Sequence, residues 1–537
     1  MILLRTTLLA ATLCAVALLG AQTTFPYGIH LAPFPIEGLD GIHSFAHAQH
    51  EGRWLLIGGR LDGIHARQPF NAFPAAQNNT AIQVVDPQTN TVWTADLTAL
   101  AVGLQEQLQA TNMQFYQEGD QLLLVGGYAY SSSAGDHLTF PYLTVVDVPG
   151  LIADIINSEP IAGNFQQLTD DKFAVTGGYL GKIGDEFYLV GGHRFDGRYN
   201  PMNHPTFTQT YTDAIRKFTL TATNGNLGFT NYTVISDPAH LHRRDYNLLP
   251  QIYPDGNLGY TIFSGVFQIN QDLPFLYPVD ITAAGHQPVS SFNQYLCNYH
   301  AAHLPLYDEA ANSMHNLFFG GISQYYYQAG NLVQDDNVPF VKTISRVSRS
   351  SDGTLEEVPF SLEMPGYLGA GAELMINEDL PQSAPGIIDL AAVEADSFLV
   401  GYIVGGISTP TANPFSVNNT GITSAATTVF KVYLVKNSTT GTHTSVPGGY
   451  HNFAFTVVPN PGRGKTLTAT AFLPEPGDLD IYLIDTSGRL ILQETRKNLP
   501  AGDQQLNLPL PTHLPGLGVL TLVLNGKYTA SEKLILD

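Results

Sequence analysis

The sequence predicts an all-β chain of more than one domain, and three observations carry that prediction. Its 537 residues exceed what one ordinary core fills. Only 13% of them are charged, whereas Gly 51, Pro 34, Tyr 26 and Phe 28 are abundant, the balance of short strands joined by turns. An apolar strand that runs into a glycine pair then recurs along the chain: LLIGG at Gly58, LLLVGG at Gly126, FYLVGG at Gly191, YTIFSG at Ser264, NLFFGG at Gly320 and YIVGG at Gly405.

Each copy begins with a short strand and turns through EGRW, EGDQ, IGDE or PDGN before the apolar strand. Gly-Asp and Asp-Gly tolerate positive φ, so these pairs predict antiparallel hairpins. The first copy continues AIQVVDPQTNTVWTADL, two more strand-like segments around a DPQTN turn. Copies lie far enough apart for one four-stranded unit each. A strand, a hairpin, a glycine pair, a long loop, VVDP, a polar turn and a Trp resemble the kelch repeat of β-propellers. That resemblance implies a six-bladed kelch-like β-propeller over residues 28–440, with glycines where neighbouring blades meet. The sixth unit offers VFKVYLVKN as its third strand and no fourth. Gly28–Glu37 is expected to supply the missing strand by pairing with Val429–Val435, which closes the ring and removes an edge.

Residues 441–452 read as a linker, and residues 453–537 as a small C-terminal β-sandwich of about seven short strands with PNPG, DTSGR and NGK turns. The succession VVPNPGRG from Val457, IYLIDTSGRLI from Ile481, LPAGDQQLNLP from Leu499 and the terminal KLIL from Lys533 resembles the sorting domain of type IX secretion substrates. The resemblance departs at GLGVLTLVL, where family members carry a Tyr after Gly-Val. It implies the type IX secretion machinery as a partner and a secreted or outer-membrane cell-surface location.

The N-terminus fits that route. Residues 1–21 carry one Arg, an apolar run from Leu8 to Leu19 and small residues at Gly20 and Ala21, the layout of a signal peptide. Beyond it, no stretch approaches the roughly 20 apolar residues of a transmembrane helix. The formal net charge of -22, without a basic run, argues against nucleic acid. Past the signal only Cys297 remains, so an internal disulfide is excluded.

Residues after each glycine pair and residues opening each first strand are expected to converge on one face, around the central channel. This nominates Arg60, Tyr128, His193 and Arg194 after the pairs, and Arg243, Arg244, Asp245, Tyr299 and His300 at strand starts, with His43, Asn112 and Ser323 beside them. Arg, His and Tyr in such a mouth suit carboxylate, phosphate or sulfate groups, or sugar hydroxyls. An Arg paired with an Asp between blades is the competing reading for HLHRRDYN. Cys297, Tyr299, His300 and His303 invite a metal, but strand alternation sends His300 and His303 to opposite faces, so no metal and no cofactor is expected. The expected function is non-catalytic binding of glycan or protein. The alternative is an extracellular carbohydrate-active enzyme at the same mouth, oxidase-like or epimerase-like, with His300, Asp245 and Arg243 as its pieces. No G-x-S-x-G, H-E-x-x-H, Walker or EF-hand pattern occurs.

Overall fold

The computed structural model describes residues 25–436, except 202–205, 224 and 329, and most of 455–537 outside the short stretches between its strands. The signal peptide expected at residues 1–21 and the linker at 441–452 lie outside the described residues. The protein is all-β.

Six sheets repeat one order, in which each strand of a unit pairs with the next. The first unit is typical: Ala46–His50, Arg53–Ile57, Ala81–Asp86 and Thr91–Asp96. Its VVDP turn is held by Asp86, whose carboxylate accepts from the Gln88 and Thr89 amides. Hydrophobic side chains from facing sheets fill the spaces between units. Leu55 and Val84 of the first unit, for example, share a core with Leu122 and Leu124 of the second. The sixth unit takes its outer strand from the N-terminal end of the described chain. Tyr27–Phe34 pairs antiparallel with Val429–Lys436, from Tyr27 opposite Lys436 to Phe34 opposite Val429.

The glycine pairs are the junctions of this array. All twelve positions have positive φ, from 52° at Gly191 to 102° at Gly265, and Ser264 shares that conformation at 58°. Positive φ is costly for residues with a Cβ. At Gly126 a Cβ would also lie 1.9 Å from the Val175 carbonyl oxygen. The turn aims the second residue's N–H at the next unit. Gly59 donates to Ala110, Gly127 to Val175, Gly192 to Arg243, Gly265 to Asn298, Gly321 to Leu368 and Gly406 back to Ile42. These six bonds run once around the molecule.

A second, inner circle lies closer to the axis. Ser44 donates to Gly371, Gly371 to His300, His300 to Asp245, Asp245 to Gly177, Gly177 to Asn112, and Asn112 to Ser44, at 2.8–3.3 Å. One residue from each unit contributes, and the circle closes on itself. It divides the central channel into two compartments.

The C-terminal part is two facing sheets. Phe455–Val458, Thr466–Leu473 and Gly502–Pro509 form one, and Gly477–Asp485, Leu490–Leu499, Gly516–Leu524 and Tyr528–Leu536 the other. Their shared core includes Leu467, Ala469, Ile481, Leu483, Leu508 and Leu522. Among the described residues, no helix is long and apolar enough to cross a membrane.

Candidate functional site

Isolated bridges bring the two sets of mouth residues side by side. His43 bridges Arg60, Thr111 bridges Tyr128, Thr176 bridges His193 and Arg244 bridges Val266. The first member opens an inner strand and the second follows a glycine pair. Above the inner circle His43, Arg60, Thr111 and Arg244 line a cavity of about 360 Å³, with Ser44, Asn112, Asp245, His300 and Gly371 of the circle in its lining. A side pocket of about 100 Å³ shares His65, Phe73, Tyr199, Arg244 and Asp245 with it.

Two guanidinium–carboxylate pairs stand in this mouth. Arg60 donates through Nε and Nη2 to both oxygens of Asp62, at 2.8 and 2.6 Å, and through Nη1 to Asn78 at 2.8 Å. Arg244 donates to Asp245 at 2.5 Å and to the Tyr211 hydroxyl at 3.1 Å, and lies 4.7 Å over the Phe267 ring. Burial works against the Arg244 charge, but Asp245, Tyr211 and Tyr299 outweigh it and raise its pKa. Burial likewise resists ionisation of Asp62, yet the nearby His43 and the hydrogen bonds from Arg60 hold it below the usual carboxylate range.

Burial favours the neutral form of His43, His65 and His193, whereas Glu373 raises His300 against burial. Burial pushes His65 down to about 4. It holds His193 well below its ordinary value, helped by Arg244, and lowers His43 despite Asp62 beside it. Burial also raises the Tyr299 phenol, against the pull of Arg244. His65 stacks on Phe73 at 4.6 Å and meets Tyr199 and Phe415 edge-on at 4.7 and 5.3 Å. The walls are therefore aromatic, and the ionised groups sit at fixed, paired positions.

Of the residues nominated from sequence, Arg60, Arg244, Asp245, Tyr299 and His300 line the main cavity, and Tyr128 and His193 line the side pocket. Three nominated residues do not join them, of which Ser323 is buried and donates to the Tyr295 carbonyl at 2.6 Å. Arg243 is fully buried inside its unit, where it donates to the carbonyls of His240, Ser264 and Tyr277 and packs 4.1 Å over Phe275. Its neighbour Arg244 takes the mouth because successive side chains face opposite ways. The same alternation turns Arg194 outward. The segment after Gly192 is a hairpin, His193–Gly197 with Phe207–Tyr211, so His193 and Phe195 face the pocket while Arg194 pairs with Asp196 and Asp171.

The alternation expected for His300 and His303 fails for a related reason. The strand starts at His303, and His300 sits before it in the inner circle, so the two rings lie 6.3 Å apart. His300 turns its Nε2 to within 2.8 Å of Glu373 Oε1 on the far side of the circle. Cys297 is a buried thiol pushed up to about 12 by burial. Among the described residues, no group of three or more His, Cys, Asp or Glu is placed to hold a metal.

From the sequence, the long loops 58–79 and 191–213 are expected to rise over the mouth, but their Asp62, His65, Phe73 and Tyr199 were not singled out, and Asp272, Phe267 and Phe415 were missed altogether. All but Asp62 line the cavity, and Asp62 clamps Arg60 behind it. Most belong to long loops without periodicity. The available signal was loop composition, since GGRLDGIHARQPF holds Asp62 and His65 within a few residues of the glycine pair. They also change the charge of the mouth. The cavity lining holds Arg60 and Arg244 against Asp245, Asp272 and Asp336, so it is not the cationic site its Arg content suggested.

No family model and no curated protein matches the chain. Among solved structures, YjhT aligns at 12% identity over 70% of this chain and 93% of its own, with a TM-score of 0.38. PorZ, an essential bacterial surface component of the type IX secretion system of Porphyromonas gingivalis, aligns at 11% identity over 93% of this chain and 60% of its own, with a TM-score of 0.23. A glycoside hydrolase family 43 arabinoxylan arabinofuranohydrolase from Bacillus subtilis aligns at 11% identity over 92% and 94%, with a TM-score of 0.28. Likeness at this level is one of all-β architecture, and it assigns no residue a role.

Proposed function

We propose that the chain is a secreted or cell-surface carbohydrate-binding protein, a six-bladed kelch-like propeller whose mouth takes the hydroxyl-bearing end of a glycan. The observation that carries this reading is the cavity of about 360 Å³ floored by the inner circle, with aromatic rings beside two guanidinium–carboxylate pairs. Sugars present an apolar C–H face and vicinal hydroxyls. An aromatic wall suits the first, and a fixed donor next to a fixed acceptor suits the second. A concave site of this size fits a sugar better than the broad face of a protein partner.

Charge refines the ligand class. Because carboxylates offset the guanidinium groups, the mouth favours neutral sugars over sulfated or phosphorylated ones. Binding is also a better match than catalysis. Asp62 is clamped by Arg60, Arg243 is inside the blade, burial favours the neutral form of His43, His65 and His193, and His300 is engaged by Glu373, which leaves the groups positioned rather than poised for proton exchange. The C-terminal sandwich with its sorting-domain motifs, and the signal-like N-terminus, supply the export half of the proposal.

A glycan array probed with the whole secreted chain and with Arg244→Ala tests the reading. Retention of neutral glycans, weakened tenfold or more by the substitution, is the expected result. Failure to bind any glycan at millimolar concentration overturns it.

A further inference from the structure

The side pocket is chemically unlike the cavity it opens from. Its walls are rings: Phe195 stacks on Phe207 at 4.5 Å, and Tyr128 meets Phe73 and Phe195 edge-on at 5.2 and 5.3 Å. Asn112, Arg244 and Asp245 complete its lining, and two of its hydroxyls are already committed. Tyr128 donates to the Gly197 carbonyl at 2.8 Å, and Thr176 donates to the Asn112 carbonyl at 3.2 Å.

His193 adds a ring N–H. Its side chain lines the pocket and the residue is 6% exposed. Nδ1 lies 2.6 Å from Gln209 Nε2, and an amide nitrogen can only donate, so Nδ1 is the acceptor. The ring is neutral, and its proton is therefore on Nε2. Among the described residues, no group accepts from that N–H. A ring N–H beside aromatic rings, in about 100 Å³, matches a small group with a carbonyl oxygen and an apolar end.

We propose that the side pocket binds an acetyl-sized acyl group carried by the sugar in the main cavity. The acyl carbonyl oxygen accepts from His193 Nε2–H, and the methyl packs against Phe195 and Phe207. The inference rests on the carbohydrate reading and deepens it, because it makes acylation the feature the protein selects. An acetamide and an acetate ester share this chemistry.

Titration calorimetry on the whole chain with matched pairs separates the cases. N,N′-diacetylchitobiose against cellobiose tests the amide, and acetylated against deacetylated xylo-oligosaccharides tests the ester. The acetylated member of at least one pair is expected to bind tenfold or more tightly, and which pair responds names the linkage. His193→Phe keeps the ring and removes the donor, and Phe207→Trp fills the pocket. Each should reduce the preference below threefold while affinity for the unacetylated sugar stays within twofold. Thermal melting shows which variant is folded, and either alone suffices. Equal binding of both members of both pairs, or a preference that survives the folded variants, overturns the acyl inference while carbohydrate binding stands. Failure to bind any sugar on a broad array overturns both.

Discussion

The two compartments of the central channel are bounded by the same six backbone residues and are built in opposite ways. On the mouth side, charged groups are paired within one loop or between neighbouring residues, as Arg60 with Asp62 and Arg244 with Asp245, and open space remains beside them. On the far side the space shrinks to about 20 Å³, and the charged groups join different units. Glu373 of the sixth unit lies 2.8 Å from His300 of the fifth and 3.8 Å from His47 of the first, with Tyr179 of the third against His300. His47 Nδ1, Tyr179 OH, His300 Nε2 and Glu373 Oε1 have no aligned hydrogen-bond partner there. Pairing inside a loop leaves a surface free to receive a ligand. Pairing across units fastens the ring, at the cost of imperfect hydrogen bonds.

The largest effect should come from breaking that fastening. Glu373→Ala leaves His300 beside no counter-charge in a buried site, and removal of one member of a buried pair costs about 3–5 kcal/mol. Chemical denaturation of the variant should show that loss, with glycan affinity of the remaining folded fraction little changed. A loss under about 1 kcal/mol would mean the far compartment is as permissive as the mouth.

The pH dependence sharpens the same point. Burial opposes charge on both partners, but Glu373 is held well below the usual carboxylate range by His300 and His47, and His300 is raised above 6.5 by Glu373. A depressed carboxylate stabilises the fold above its unfolded value and loses that contribution as pH falls. A raised histidine stabilises below its unfolded value and loses that contribution as pH rises through the folded one. The stability difference between wild type and Glu373→Gln should therefore be greatest between about pH 4.5 and 6.5 and shrink on either side. A difference that is flat from pH 4 to 9 would remove the ion pair from the account.

At the mouth the balance reverses. Arg244→Met keeps an aliphatic stem against Phe267 and loses the fork to Asp245 and Tyr211. The expected stability loss is about 1 kcal/mol, the scale of a part-exposed pair, while neutral-glycan affinity falls tenfold or more. Equal losses in both measurements would erase the contrast between the compartments.

The blades were more legible than the mouth, for a physical reason. A blade repeats because every unit solves the same packing problem, so the glycine pairs and the hairpin turns mark it several times over. Even the closing strand, Tyr27–Phe34, could be inferred from the unit that lacked one. The mouth is made by loops that do not repeat. Alternation could have separated His193 from Arg194, and Arg244 from Arg243, had the hairpin and the strand start been placed to the residue. Contacts such as His65 on Phe73, or Glu373 with His300, join positions whose proximity no local pattern encodes. The helix Val148–Asn157 was missed as well, although Asp147 accepts from the Gly150 amide and so caps a helix start after VVD.

The smallest effect concerns the junctions between units, where Ser264 replaces the first glycine of its pair. Its φ of 58° costs energy that a glycine would not, yet its hydroxyl donates to the Phe275 carbonyl at 2.7 Å. Ser264→Gly relieves the backbone and forfeits the bond, each worth about 1 kcal/mol, so its melting temperature should barely move. Ser264→Ala keeps the strain and forfeits the bond, so it should be the less stable of the two. If Ala matched wild type while Gly were more stable, the hydroxyl would be idle. The serine would then be only a strained substitute for glycine, and the junction would depend on conformational freedom alone.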